Sequence, residues 1–260
     1  MSLGRKQTSS NEHFVEVAAN IEKYVSRVHA FRKVEQAVER IKLTQLDDAA
    51  YAWSGGKDSI ALQVVCQQAG IKRCVLAITR LEYPAFLEWV TNNMPEGLTV
   101  INTGQDLDWL RSNLHMLFPQ DAQTAAKWFS AVQHKAQDQY FKQEKLSKIF
   151  LGRRRADGNY IGKPGEFSYY KNGILRISPI WDWTHEEVIA VNHYFSMPVP
   201  PIYAWPNGFI VGTGSWAARQ YTGSIENGWK QVYSIDPSVV RYAATKLASA
   251  ESFLATVESS

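Results

Sequence analysis

The chain has only two cysteines in 260 residues, Cys66 and Cys74, and their spacing is not the CxxC of a zinc or iron-sulfur site. A disulfide framework is excluded, and packing is the role expected of both. No uncharged apolar run approaches the roughly 20 residues that span a bilayer. Residues 1–12 contain no apolar signal-peptide core, so a cytoplasmic protein with no membrane association is expected. Net charge is also small: the formal value of +3 is too little to mark a polyanion-binding chain. The six histidines show no H-E-x-x-H or other metal spacing. Internal repeats and low-complexity tracts are lacking too. What is present is 45% hydrophobic and 12% aromatic residues, enough for a substantial core and incompatible with general disorder.

The small charge is unevenly placed. Between Lys142 and Arg176 there are nine Lys or Arg against three acids, an excess larger than that of the whole chain. Such a run is either a solvated face or a surface for something anionic.

Hydrophobic spacing divides the chain. Residues 11–45 repeat apolar positions at helical intervals and read as one long or two shorter helices, a docking or lid element. Residues 49–53, 73–79 and 98–102 read as buried strands. Helices are expected at 59–69, ended by Gly70, and at 84–93 and 107–117, which continues the alternation of a βαβ unit. The composition of 121–147 suits a long helix, and 148–152 a further strand. Asn172-Gly173 between 168–170 and 174–177 is a hairpin signal. Thr184 and Glu187 form a capping box opening a helix to about Phe195, and 237–257 is a last helical run. The expected layout is an N-terminal helical extension (1–45), an α/β domain (46–200) and a C-terminal segment packed on it (201–260). The expected sheet is parallel, with helices on both faces.

The most informative residues lie between the first strand and its helix: Ser54-Gly55-Gly56-Lys57-Asp58-Ser59. Two glycines permit backbone angles closed to other residues, and a helix N-terminus supplies free N–H donors and partial positive charge. Ser54 and Ser59 add hydroxyls, and Lys57 neutralises phosphate. Asp58 would repel phosphate unless a divalent cation stood between them, which implies Mg²⁺. The spacing is not that of the GxxxxGK[ST] loop. The bland alternative is a tight turn with Asp58 as a first-turn acid facing the helix dipole.

The hexapeptide resembles the PP-loop of the ATP pyrophosphatase superfamily, whose members bind ATP and cleave it between the α and β phosphates. Three later stretches are similar to the phosphoadenosine phosphosulfate (PAPS) reductase family, which includes the small subunit of ATP sulfurylase. They are Leu151-Gly152-Arg153-Arg154-Arg155-Ala156-Asp157, Ile177-Ser178-Pro179-Ile180-Trp181-Asp182-Trp183-Thr184, and Pro200-Pro201-Ile202-Tyr203. The resemblance covers 49–219. It implies an adenine-nucleotide-hydrolase-like α/β fold with the nucleotide across the carboxyl ends of the strands. Ala52, Trp53, Ile78 and Thr79 would then flank the adenosine. Ser54, Gly55, Gly56 and Ser59 would cradle the pyrophosphate with Gly152 close by, and Lys57 would stabilise its developing charge. Asp58 would engage Mg²⁺, and Arg153 and Arg155 would meet the phosphates or an acidic acceptor.

The departures are equally specific. PAPS reductases attack sulfur with a cysteine near the C-terminus, and this chain has none after Cys74. The implied activity is therefore ATP-dependent adenylyl transfer to an unidentified acceptor, with ATP and Mg²⁺ as cofactors. Two alternatives stay open. One is a PAPS-dependent reductase or sulfotransferase-like enzyme given a thiol by a partner protein. The other is a non-catalytic regulator docking nucleic acid on the basic segment. Residues 209–217 also spell a strand followed by G-x-G-x-x-A with Asp236 downstream, but too little chain follows to complete a dinucleotide-binding sheet. Among the aromatic residues of the C-terminal third (Trp181, Trp183, Tyr203, Trp205, Trp216), packing is the expected role. His185 is expected to be solvated.

Overall fold

The computed structural model describes residues 10–44, 46–220 and 222–259. The first nine residues of the expected N-terminal extension, with Gln45, lie outside them.

Six strands form one sheet: β1 (Ala49–Ala52), β2 (Cys74–Ile78), β3 (Leu98–Asn102), β4 (Lys148–Phe150), β5 (Ser168–Lys171) and β6 (Ile174–Ile177), in the order β3-β2-β1-β4-β6-β5. All pairs are parallel except β5 with β6. The sheet is thus mixed rather than wholly parallel, because the Asn172-Gly173 turn folds β5 back as an antiparallel edge. Both turn residues have positive φ, 52° and 77°, as a two-residue turn matching strand twist requires.

The period of two along each strand divides the core between the two faces. Ala50, Val75, Ile149 and Leu151 point to one face and pack against Ala136 and Tyr140 of the helix Lys135–Glu144. Tyr51, Cys74, Leu76, Phe150 and Ile177 point to the other, in the main core. There they join the helices α1 (Asn11–Ala19), α2 (Ile21–Tyr24), α3 (Arg27–Lys42), α4 (Lys57–Gln68) and α5 (Pro84–Asn93). α6 (Leu107–Ser112) and α7 (Ala122–Phe129) follow, with the Lys135–Glu144 helix as α8 and His185–Tyr194 as α9. α10 (Gly208–Val211), α11 (Ile225–Ile235), α12 (Pro237–Ala244) and α13 (Ala248–Glu258) complete the chain. The N-terminal helices are tied to the start of α9 and the turn before it by the Arg40–Asp182 ion pair, at 2.7 and 2.9 Å, and by a hydrogen bond between His29 Nε2 and Glu187 Oε1 at 2.6 Å.

Several local expectations change. The stretch read over 11–45 holds three helices rather than one or two, and the run over 107–117 divides at Asn113 into α6 and a short 3-10 turn, Leu114–Met116. The helix expected over 121–147 is interrupted by a π turn, Ser130–His134, and ends on Lys145 in the left-handed conformation, φ 53°. Residues 208–211 form a helical turn where a strand had been read, which removes the dinucleotide fingerprint. α11 was not expected; the Ser224 side chain starts it by accepting from the Asn227 N–H. The run over 237–257 divides in two at Thr245–Leu247. Among the described residues, no helix is long and apolar enough to cross a membrane.

Candidate functional site

The loop joining β1 to α4 turns on Gly55, whose φ of 68° admits glycine where other residues are strained. A Cβ there would come within 2.9 Å of the Trp89 ring. Gly56 caps α4 with no side chain of its own. The serines lock the loop from within. Ser59 Oγ accepts from the Ser54 N–H at 3.0 Å and donates to the Gly56 carbonyl at 2.9 Å, and Ser54 Oγ accepts from the Gly56 N–H at 3.3 Å. Asn192 of α9 donates to the Lys57 carbonyl at 3.0 Å and anchors the first turn from the other side.

Asp58 stands between two cations. Its Oδ2 meets Lys57 Nζ at 2.8 Å and its Oδ1 meets Arg154 Nη2 at 2.8 Å. Arg154 is fully buried, and also pairs with Asp157 at 3.0 Å, donates to the Trp183 carbonyl at 3.2 Å and lies 3.0 Å from His185 Nδ1. His185 is therefore not solvated, as its place in an exposed-looking first turn had suggested. Its ring packs edge-on against Phe14 at 4.9 Å. Burial, then the Arg154 and Lys57 charges, lowers its pKa to about 4, so it is neutral at pH 7. Lys57 Nζ lies 5.7 Å from the Phe14 ring, so α1 shields the cradle amine.

The three consecutive arginines diverge for a simple reason. The chain continues extended past β4, so alternate residues leave on opposite faces of the sheet. Arg153 follows the phase of Ile149 and Leu151 to the α7/α8 side, where it lies 5.7 Å from the Phe129 ring centre and donates to the Tyr169 hydroxyl at 2.6 Å. Arg154 takes the phase of Phe150 and enters the cradle. Arg155, in the short helical turn Arg155–Asp157, lies exposed on Trp181 at 4.2 Å. Gly152 makes this arrangement possible: a Cβ there would approach the Asp58 carbonyl oxygen at 3.0 Å.

Ser54, Gly55, Gly56, Lys57, Asp58, Ser59 and Gly152 therefore meet in one place. Arg153 and Arg155 do not join Asp58; the residue between them does. Trp53 contributes backbone only, since its ring is buried, stacked 5.8 Å from Trp89 and donating to Gln63 at 2.8 Å. Ala52 and Ile78 end their strands half-buried beside the loop. Thr79 is committed to Glu82, whose Oε1 accepts from its N–H and its hydroxyl, both at 3.0 Å. Burial raises the Glu82 carboxyl to about 7.

Tyr203 was missed as a cradle residue. Its hydroxyl accepts from the Lys57 N–H at 2.6 Å, so it fills the first donor of the helix N-terminus. The signal was present, since Pro200-Pro201-Ile202-Tyr203 had been singled out, but nothing local ties it to a residue 146 positions earlier. Cys66 and Cys74 are both buried free thiols, and burial raises Cys74 to about 11 and Cys66 well above its ordinary value. Neither is a ready nucleophile.

Asp58 by itself supplies the one carboxylate that a phosphate-borne Mg²⁺ requires. Both its oxygens face cations, so an ion held there would have to displace one of those contacts. No cluster of three or more potential metal ligands occurs among the described residues.

The model of the phosphoadenosine phosphosulfate reductase domain matches residues 48–209. The chain belongs to this family. It carries the PP-loop of the ATP pyrophosphatase superfamily, and the mixed, mostly parallel sheet is that superfamily's adenine-nucleotide-hydrolase-like fold. A phosphoadenylyl-sulfate reductase from Candida auris, in a phosphate complex, aligns at 13% identity and TM-score 0.51, covering 74% of this chain and 96% of that one. A U34-tRNA thiolase from Methanococcus maripaludis with a [4Fe-4S] cluster aligns at 13% identity and TM-score 0.43, covering 95% of this chain and 80% of the other. An NH3-dependent NAD synthetase from Campylobacter jejuni gives 14% and 0.43, covering 84% and 90%. No curated protein matches.

Proposed function

We propose that this PAPS reductase family member binds ATP at the β1–α4 loop and transfers its adenylyl group to an acceptor oxyanion, releasing pyrophosphate. The observation that carries this is the Lys57–Asp58–Arg154 arrangement at a glycine-turned helix N-terminus, two cations held beside one carboxylate at 2.8 Å each. In-line attack on the α-phosphorus forms the acceptor–phosphorus bond and breaks the bond to the β-bridging oxygen, so negative charge grows on the leaving pyrophosphate. Lys57 and the N–H groups of the α4 N-terminus stabilise that charge, fixed in advance by the Ser54–Ser59 lock and Asn192. Arg154 holds Asp58 in place, and Mg²⁺ bound with the nucleotide supplies further charge neutralisation there. His185, neutral at pH 7, adds no competing positive charge.

The absence of an exposed thiol weighs against the PAPS-dependent alternative. α-Labelled ATP incubated with sulfate, nucleic acid or cell extract should yield pyrophosphate and AMP or an adenylylated product. Lys57→Ala should lower that turnover about 10²–10³-fold, the scale of losing one transition-state donor, with unfolding unchanged. Intact ATP despite measured nucleotide binding would overturn the proposal.

A further inference from the structure

On the sheet face opposite α4, a second group of charges shows a different pattern. Arg176, the penultimate residue of β6, is only 2% exposed, yet its guanidinium makes one hydrogen bond to a neutral partner, Gln137 Oε1 at 3.1 Å. Its Nε is buried without a partner. Burying a guanidinium in this way is strongly unfavourable unless an anion compensates it. Its neighbours add to the imbalance. Tyr169 is its cross-strand partner on β5, and the Tyr169 hydroxyl takes the Arg153 hydrogen bond at 2.6 Å. Arg153 in turn sits over Phe129, whose ring packs against His134 at 4.7 Å. The His134 ring, on the π turn, is kept neutral by burial and by Lys171, Arg176 and Arg153, which lower its pKa to about 4. Asp138 acts on Arg176 and His134 in the opposite sense, but forms no ion pair with Arg153, Lys171 or Arg176 among the described residues.

We infer that Arg153, Lys171 and Arg176, with the Tyr169 hydroxyl and His134, form a binding subsite for an oxyanion, a sulfate, phosphate or carboxylate group. The rings of Phe129 and Tyr160, 40% and 59% accessible, pack against the His134 and Tyr169 rings of this group. Arg153 is joined through Gly152 and the Arg154–Asp58 pair to the cradle. The oxyanion therefore has two possible sources, a separate acceptor or a further phosphate of the nucleotide itself. Its role as the acceptor's site rests on the adenylyl-transfer proposal; the binding does not.

The full chain is titrated with millimolar inorganic phosphate and sulfate, without nucleotide and at ionic strength matched with chloride, while thermal unfolding is followed. The wild type should be stabilised by about 2–4 °C. Arg176→Met should fold at least as stably as the wild type in chloride and lose that response, and Tyr169→Phe should weaken it. Lys57→Ala, run in parallel, should keep it. A response retained in Arg176→Met but lost in Lys57→Ala would place the anion in the cradle and overturn the inference, as would no response in the wild type beyond chloride. Calorimetry with ATP and with adenosine 3′,5′-bisphosphate separates the sources. An Arg176→Met loss confined to the bisphosphate assigns the subsite to the nucleotide's own phosphate, and unchanged affinity for both assigns it to the acceptor; either outcome supports an oxyanion subsite. Because no nucleotide is present in the first titration, failure of ATP turnover leaves its result standing.

Discussion

Two buried arginines, Arg154 and Arg176, lie on opposite faces of the same sheet, and they are handled in opposite ways. Arg154 meets two carboxylates, Asp58 and Asp157, at 2.8 and 3.0 Å. Arg176 meets no carboxylate at contact distance, its one hydrogen bond going to the Gln137 amide, although Nε is unpaired in both arginines. A matched buried charge is a scaffold that holds its partner in position, whereas an unmatched one is a demand for a ligand. The difference separates the part of this site that is prepared in advance from the part that a bound group must complete.

The contrast is sharpest in stability. Arg154→Met should destabilise the protein by about 3–5 kcal/mol in urea unfolding, because it removes the buried cation that Asp58 and Asp157 share. Arg176→Met should leave stability unchanged or raise it. Equal losses for the two variants would end the distinction.

Glu82 offers a third case, a buried carboxyl with no cation beside it and Oε2 unpaired. Burial lifts its pKa from 4.5 to about 7, so between those values the folded state holds a proton that the unfolded state has released. Stability should therefore fall as pH rises from about 4.5 to 7, by on the order of 2–3 kcal/mol. Glu82→Gln should flatten that slope, and an unchanged slope would show that Glu82 is ionised throughout.

The smallest effect concerns the neutral side of the cradle. Tyr203→Phe releases the Lys57 N–H and should tighten ATP binding about 3–10-fold, the worth of one neutral hydrogen bond. Weaker binding would mean that the hydroxyl contacts the nucleotide instead of competing with it.

The β1–α4 loop was legible in the sequence because its geometry is local: two glycines, two serines and a lysine within six residues close on one another. The hairpin at Asn172-Gly173 and the Thr184–Glu187 capping box were legible for the same reason, each being set within a few residues. The choice among Arg153, Arg154 and Arg155 was not, since it depends on the phase in which β4 enters the sheet, fixed by Ile149 and Phe150 packing on opposite cores. Tyr203, His185 and Arg176 reach their partners only through the tertiary fold. α11 was hidden because Asn227 and Gly228 are poor helix residues in isolation, and Gly228 is required by the Phe118 ring, 2.2 Å from where its Cβ would lie.

Gly152 has a mechanical consequence. The arginine loop passes the cradle so closely that a side chain at this position would meet the Asp58 carbonyl at 3.0 Å, so the two segments have little room to move toward one another. A nucleotide bound as proposed at the start of α4 would press on the residue that leads into Arg153, and an anion drawing on Arg153 would be felt in the cradle in return. With both sites filled as proposed, their occupancies would be coupled through this junction, and by reciprocity each ligand would change the other's affinity by the same factor.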